Sequence, residues 1–261
     1  MDLICTATTD PADQRPGCRF DEATNEQLVR LLQDLRLLYT ERNEAIGRLG
    51  HAHAEALDLL AVAVQFRSAA IRLPMLRVSV LAEALALCLG QSPSFAHMLR
   101  RAARVHDVGE VGIPDAVLKK AGLLTTEEQL VMNAHAELGA GLLGHSRAPL
   151  MQMAAEVALT HHERWDGLGH PRGLRGREIP LSGRIVAVVD SFDALTMDRS
   201  DRPGHADEAA LAVLAKQRGA AFDPQVVDAF LAAAEDLVAL RDLVNSDPQP
   251  FELLLEQGCS R

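Results

Sequence analysis

The chain is short of aromatic side chains, cationic charge, paired cysteines and long apolar runs. Each shortage excludes a class of protein. Aromatic residues make up 3% of its 261 residues, although apolar residues make up 48%. A sizeable core is therefore possible, but Leu, Ala and Val must fill it. Lysine and arginine number 26 against 36 aspartates and glutamates, a formal net charge of −10. A general nucleic-acid binder is usually basic, so DNA is not an expected partner. An anionic small ligand stays open, held by a few local arginines and a metal. Cys5, Cys18, Cys88 and Cys259 are scattered without CxxC spacing, which reads as reduced thiols in a cytoplasmic protein. No apolar run reaches the roughly 18 residues that cross a bilayer. The stretch Met1 to Cys18 carries Asp10 and Asp13 and lacks the basic-then-apolar order of a signal peptide. Strand alternation and internal repeats are also missing. Glycine and proline are sparse in most segments while Ala, Leu, Arg and Glu abound, which favours helix.

The helical patterns give an organisation. Residues 1–20, rich in Thr, Asp, Pro and Gly, read as a flexible tail. Residues 21–70 read as an N-terminal helical segment, one long helix or two joined ones. Leu28, Leu35, Arg42, Leu49, Ala56 and Ala63 recur at sevens, with Leu32, Tyr39, Ile46, His53 and Leu60 four places on. That seam fits either a helix packed on its own domain or a coiled-coil homodimer. His51 and His53 read as solvated or seam residues. Residues 71–244 form the main helical domain and 245–261 a polar, then amphipathic, tail with Phe251, Leu253, Leu254 and Leu255.

Within the main domain Pro74 interrupts a helical stretch that resumes through Leu89. Gly90-Gln91-Ser92-Pro93 is a turn with Ser92 and Ser94 as caps. The next helix leads into His106-Asp107. Thr125-Thr126-Glu127-Glu128 is a capping box opening the helix that carries His135, and Leu150 to His162 is a further helix. A loop from Trp165 to Pro180 is rich in Gly and Arg. Ile185 to Leu195 could pass for a strand, but between helices it reads as a buried helix carrying Asp190 and Asp193. Ala206 to Arg218 and Pro224 to Val244 complete an all-α fold.

The chemistry lies in two adjacent pairs, His106-Asp107 and His161-His162, with His135 between them and Asp190 after them. Imidazole nitrogen and carboxylate oxygen together suit Fe, Mn or Zn, and a carboxylate can bridge two cations. Two bridged cations can clamp the attacking and leaving oxygens of a phosphodiester. The residues thus suggest a dinuclear metal hydrolase.

Several segments are in register with one family. His106-Asp107-Val108-Gly109, Gly112-Ile113-Pro114-Asp115, His161-His162-Glu163-Arg164-Trp165-Asp166-Gly167, Ile179-Pro180, Arg184-Ile185, Asp190 to Thr196 and Phe222-Asp223-Pro224 resemble the signature of HD-GYP domains. The likeness runs from about residue 51 to 232. It implies an HD-type helical bundle and hydrolysis of the bacterial second messenger cyclic di-GMP to the linear dinucleotide or to GMP. It also implies two or three bridged metals, usually iron or manganese.

The departures matter as much. Where the family places a Glu and a His on the preceding helix, this chain has Ala70 and Pro74, so a third metal is not expected and one remaining site loses a donor. The Lys expected after the Asp is Glu110. Gly-Tyr-Pro is Gly169-His170-Pro171, and Arg-Pro-Tyr-Arg is Arg199-Ser200-Asp201-Arg202.

On this resemblance Asp107 bridges. His106 and Asp190 hold one metal with it, and His135, His161 and His162 hold the other. Two divalent cations, Fe or Mn by the family's habit, carry a bridging hydroxide as nucleophile. Asp107 and Glu110 are the candidate catalytic carboxylates, Glu110 being either a new ligand or a solvated charge that weakens phosphate binding. His170 either shapes its loop or adds a ligand or proton donor. Arg184, Arg199, Arg202 and His170 are candidate substrate contacts, the two arginines three apart sharing a helix face. Asp193 reads as an acceptor supporting the site, and His97, His145 and His205 as surface residues. The rival to the enzyme is a weak or inactive signalling module, its Trp165-Asp166-Gly167 loop meeting diguanylate cyclase (GGDEF) proteins. Hydrolysis of another phosphoester is a third reading.

Overall fold

The computed structural model describes residues 22–65, 72–197 and 204–251. The expected tail at 1–20, Cys5, Cys18, Cys259, Ala70, Arg199, Arg202 and Leu253 to Leu255 lie outside these residues. Eleven helices follow one another in the described residues: α1 (Glu22–Gln65), α2 (Arg72–Cys88), α3 (Pro93–Ala103), α4 (Asp115–Leu118), α5 (Thr126–Asn133), α6 (His135–Leu143), α7 (Pro149–Thr160), α8 (Leu181–Thr196), α9 (Asp207–Gln217), α10 (Pro224–Ala232) and α11 (Ala234–Ser246). No strand forms among the described residues, where Arg218 and Phe222 make an isolated bridge. The fold is all-α, as the composition suggested, and the segment that could pass for a strand is α8. No helix in these residues is long and apolar enough to cross a membrane.

The chain divides into two units, residues 1–48 and 49–261. In the first, α1 exposes its seam: Leu28, Leu32, Leu35, Tyr39 and Ile46 are each more than half exposed. In the second, the same helix changes character. Ala54, Leu57, Ala61 and Val64 are buried at three- and four-residue spacing, the stripe that lets a helix cover a core. Helices α2, α3, α7 and α8 pack in a closed ring, each against the next, with α11 on α2 and α6 on α7. Leu81, Leu85, Leu99, Ala102, Val157, Ile185, Val189 and Phe192 fill the space between them. Each large aliphatic or aromatic side chain buried there contributes roughly 1.5–3 kcal/mol.

Local chemistry sets the helix ends. The Ser92 hydroxyl accepts from the Phe95 amide at 3.2 Å and opens α3. Thr125 and Glu128 form the expected reciprocal capping box at the start of α5. Pro74 does not interrupt a helix. It is the third residue of α2, where a backbone N–H would have no partner within the helix, so the missing donor costs nothing. Two stretches expected as single helices are broken: Ala134 separates α5 from α6, and Ala233 separates α10 from α11.

A buried ion pair fixes how α2 meets α8. The Arg77 guanidinium donates through Nε and Nη2 to the two oxygens of Asp193, at 2.5 and 2.8 Å, and through Nη1 to Asn245 Oδ1 at 3.1 Å. Two parallel hydrogen bonds between charged groups give direction as well as strength. Asp193 was expected to support the site, and Arg77 is its partner. Because Asp193 lies one turn beyond Asp190, the pair fixes the register of the helix that carries Asp190.

Candidate metal centre

His106 and Asp107 leave the end of α3 and enter the 3-10 turn Val108–Gly112. That turn must approach α6 closely. A Cβ on Gly109 would stand 1.9 Å from the His135 carbonyl oxygen, so only glycine permits the contact. The close approach brings the start of α6, and with it His135, against Asp107. His161 follows directly at the end of α7, and Asp190 sits in the middle of α8. Four elements therefore deliver the expected ligand types to one place.

Backbone carbonyls orient three of the rings. The Nδ1–H groups of His106, His135 and His161 donate to Ala103 O at 2.8 Å, Met132 O at 2.7 Å and Ala158 O at 3.0 Å. With the proton on Nδ1, each ring turns the lone pair of Nε2 inward. His135 Nε2 and His161 Nε2 are 3.3 Å apart, and they lie 3.4 and 3.3 Å from Asp107 Oδ1. Three acceptors meet with no donor among them, an arrangement that requires a shared positive charge. The other carboxylate oxygen faces elsewhere: Asp107 Oδ2 is 3.0 Å from His106 Nε2, which is 3.7 Å from Asp190 Oδ1. His162 joins the first group, its ring centroid 4.0 Å from that of His161 and 5.0 Å from that of His135. One donor atom from each of Asp107, His135, His161 and His162 lies within 4.8 Å of the others. This donor set fits a divalent transition metal.

The electrostatics carry the same demand. Burial penalises a charged His106, but the Asp107 carboxylate, the hydrogen bond to it and Asp190 outweigh that penalty and raise the ring to about 10. For His135, burial is likewise outweighed by its contact with Asp107, and its pKa rises. Burial also opposes a charged Asp107, yet His106 and the surrounding imidazoles hold its carboxyl well below the usual range. Burial and the neighbouring His161 push His162 down to about 2. Burial, helped by Asp107, raises Asp190. Protons and cations compete for these lone pairs, and a bound metal would take the place of the protons.

Glu110 sits one 3-10 turn after Asp107, its amide donating to Asp107 O at 2.9 Å. Burial and the Asp107 charge lift its carboxyl to about 7, and its buried Oε2 has no hydrogen-bond partner. His170 reaches the centre from the loop after α7. Its amide donates to His162 O at 3.2 Å, and its ring centroid is 4.9 Å from that of His162. The buried Nδ1 of His170 is likewise without a partner.

A residue to which the sequence reading gave no role holds that loop. The buried carboxylate of Glu163 accepts the amides of Arg172 at 2.7 Å and Leu174 at 2.9 Å. Gly169 allows the loop to fold back, because a Cβ there would stand 2.3 Å from the Arg164 amide nitrogen. The signal in the sequence is a Glu directly after the paired His, two residues before the start of a Gly-rich loop.

Arg184 is committed elsewhere. Its guanidinium pairs with Asp223 and donates to Ile179 O at 2.8 Å, and it lies 5.9 Å from the centroid of the Trp165 ring. His145 and His205 are exposed, as expected of surface residues. His97 is half-buried and its Nδ1 lies 3.6 Å from a Glu83 carboxylate oxygen.

Residues 41–226 match the HD domain family, and the chain belongs to that family. It is 39% identical over 218 residues to a cyclic di-GMP phosphodiesterase of Thermotoga maritima, which covers 84% of this chain and 59% of the relative. It is 44% identical over 227 residues to the cyclic di-GMP phosphodiesterase response regulator RpfG of Xanthomonas campestris, covering 87% of this chain and 60% of that protein. A 3′3′-cGAMP-specific phosphodiesterase of Vibrio cholerae is 42% identical over 182 residues, 70% of this chain and 35% of its own length. The chain thus spans less than two thirds of the length of these relatives. Among solved structures it resembles an HDG"Y"P protein from Bdellovibrio bacteriovorus, with a TM-score of 0.50 and 21% identity over 62% of this chain and 51% of the other. That likeness bears on the fold alone.

Proposed function

We propose that this chain is a metal-dependent phosphodiesterase that hydrolyses cyclic di-GMP. One observation carries the reading: Asp107 turns one carboxylate oxygen to His135 and His161 and the other to His106. A carboxylate so placed can join two divalent cations, for which we propose Fe or Mn. His135, His161 and His162 would hold one and His106 and Asp190 the other. Cations bound there supply Lewis acidity, which draws charge from a phosphoryl oxygen and makes water a stronger acid. The protein contributes orientation. Backbone carbonyls fix the three rings, and such outer partners are worth about 10–100-fold in metal affinity or activity. Glu163 fixes the loop that presents His170 beside the centre. His170, with Arg199 and Arg202, is the candidate contact for the substrate phosphates. Arg184, paired with Asp223, holds the start of α8 instead.

The relatives named for cyclic di-GMP support this substrate, and the one named for 3′3′-cGAMP sets the alternative. The test is turnover of both dinucleotides by protein loaded with Mn²⁺ or, without oxygen, Fe²⁺. Cleavage of cyclic di-GMP by wild type and its loss in Asp107→Ala is the expected result. Cleavage of 3′3′-cGAMP alone would move the substrate, and cleavage of neither would remove the enzymatic reading.

A second reading has its own support: Glu110 places negative charge where an anionic substrate must come. On that reading the chain is a signalling module that binds nucleotide or partner proteins. Trp165 and Asp166 donate their amides to Ala221 O and Ala220 O at 2.9 Å each, so the loop that would meet a diguanylate cyclase is firmly held, with Leu168 exposed on it. The exposed seam of α1 suits a second copy of the chain.

A further inference from the structure

We infer that Glu110 is itself a ligand of the metal centre, a carboxylate this chain has added to a donor set that lacks contributions from Ala70 and Pro74. The inference rests on the metal reading above and deepens it. Glu110 is carried by the same short turn as Asp107, with a single 2.9 Å backbone hydrogen bond fixing one residue over the other. Within that turn, residues three apart eclipse one another, so the two carboxylates leave the backbone on the same side. The turn that carries Glu110 packs closely on the start of α6, where a Cβ on Gly109 would meet the His135 carbonyl oxygen. Its Oε2 is shut off from solvent and accepts nothing. Among the described residues the other buried side-chain atoms without a partner are His97 Nε2, Arg100 Nε and His170 Nδ1, so Glu110 is the sole carboxylate in that position.

An orphaned, buried carboxylate oxygen carries its full desolvation penalty. Evolution can relieve that penalty with a donor or with a cation. No hydrogen-bond donor reaches this oxygen, whereas the lone pairs of three imidazoles and the Asp107 carboxylate surround a place that already calls for positive charge. A cation held by Asp107 and these rings would also give the Glu110 oxygen a positive partner. Oxygen ligation by a second carboxylate also suits Mn²⁺ or Fe²⁺, which accept mixed nitrogen and oxygen donors. The two alternatives for Glu110, ligand and solvated charge, are thus separated by burial: the oxygen is not solvated.

The experiment uses the full chain and Mn²⁺ as the probe, with Glu110→Gln as the variant that keeps shape and removes charge. Metal content is measured after equilibrium dialysis, and thermal melting is recorded with and without Mn²⁺. The expected result is a tenfold or greater loss of Mn²⁺ affinity, or one cation fewer per chain. Free of metal, the variant should melt at or above wild type, because an unpaired buried charge has gone. Its gain in melting temperature on adding Mn²⁺ should be smaller than that of wild type, since a ligand stabilises in proportion to its affinity for the folded state. Glu110→Asp provides a second, charge-retaining variant and should keep more affinity than Glu110→Gln. Equal Mn²⁺ content and affinity in wild type and Glu110→Gln would overturn the assignment and leave the metal reading standing. A wild type that takes up no Mn²⁺ would overturn both. Loss of Mn²⁺ in the variant, with no cleavage of cyclic di-GMP by either protein, would uphold Glu110 and count against the proposed substrate alone.

Discussion

On one side of Asp107 the rings of His135 and His161 point their lone pairs at a single carboxylate oxygen, and His162 packs against both. On the other side one ring, His106, stands between Asp107 and Asp190. The first side comes from the start of α6 and the end of α7, where backbone carbonyls orient the rings of His135 and His161 as Ala103 O orients that of His106. The second depends on how α3 and α8 meet, and α8 is held in register by Arg77 of α2. The crowded side gathers three rings from two helices packed on each other, while the sparser side draws one ring and one carboxylate from helices that meet through α2. On the resemblance to HD-GYP domains, the donor missing at position 74 belongs to the side with less to spare.

The largest test of this difference is to remove one ring from each side. His161→Ala should cost more than the roughly 10–100-fold in metal affinity or activity that loss of an orienting partner costs, because it deletes a donor. It should abolish binding at the crowded side. His106→Ala should spare that side and empty the other. Metal content by elemental analysis separates the two. Equal loss of all metal from both variants would show that the sides do not bind independently.

A smaller effect is expected from the scaffold. Asp193→Ala leaves Arg77 charged and buried, at a cost of about 3–5 kcal/mol in unfolding free energy. Denaturant unfolding measures it. If the pair serves the sparser side, metal content there should fall in the folded variant while the crowded side keeps its metal. A variant as stable as wild type would remove the pair from the account.

The smallest effect is a gain. Pro74 lies in the first turn of α2, so Pro74→His sacrifices no backbone hydrogen bond that proline was sparing. The side chain at 74 lies three residues before Arg77, on a neighbouring part of the helix face. Pro74→His, best combined with Ala70→Glu, should raise metal occupancy on the His106 side by a few-fold. No change in occupancy would mean that position 74 does not face the centre.

The same contrast separates what is legible in the sequence from what only the packed chain decides. The helical class, the Thr125–Glu128 capping box and the Ser92 cap are local features, set by residues three apart. The paired histidines were legible for the same reason: adjacent side chains with metal-binding chemistry are rare in a helical pattern. Arg77 and Asp193 are 116 residues apart, and nothing in either segment names the other. The breaks at Ala134 and Ala233 follow no Gly or Pro, so tertiary packing decides them. Pro74 looked like a helix breaker because its position relative to the helix start was unknown. The need for glycine at 109 and 169 comes from the backbone of another segment, which no local pattern carries. Glu110 could be placed beside Asp107 from spacing alone, but whether its oxygen met water or protein required the packed site.

The most direct measurement is the number of cations that Asp107 governs. Wild type dialysed against Mn²⁺ should hold two per chain at most, and Asp107→Ala should hold neither, while His145→Ala, an exposed histidine away from the centre, should match wild type. Wild type with three bridged cations, or Asp107→Ala with the same metal content as wild type, would contradict a centre organised around this one carboxylate.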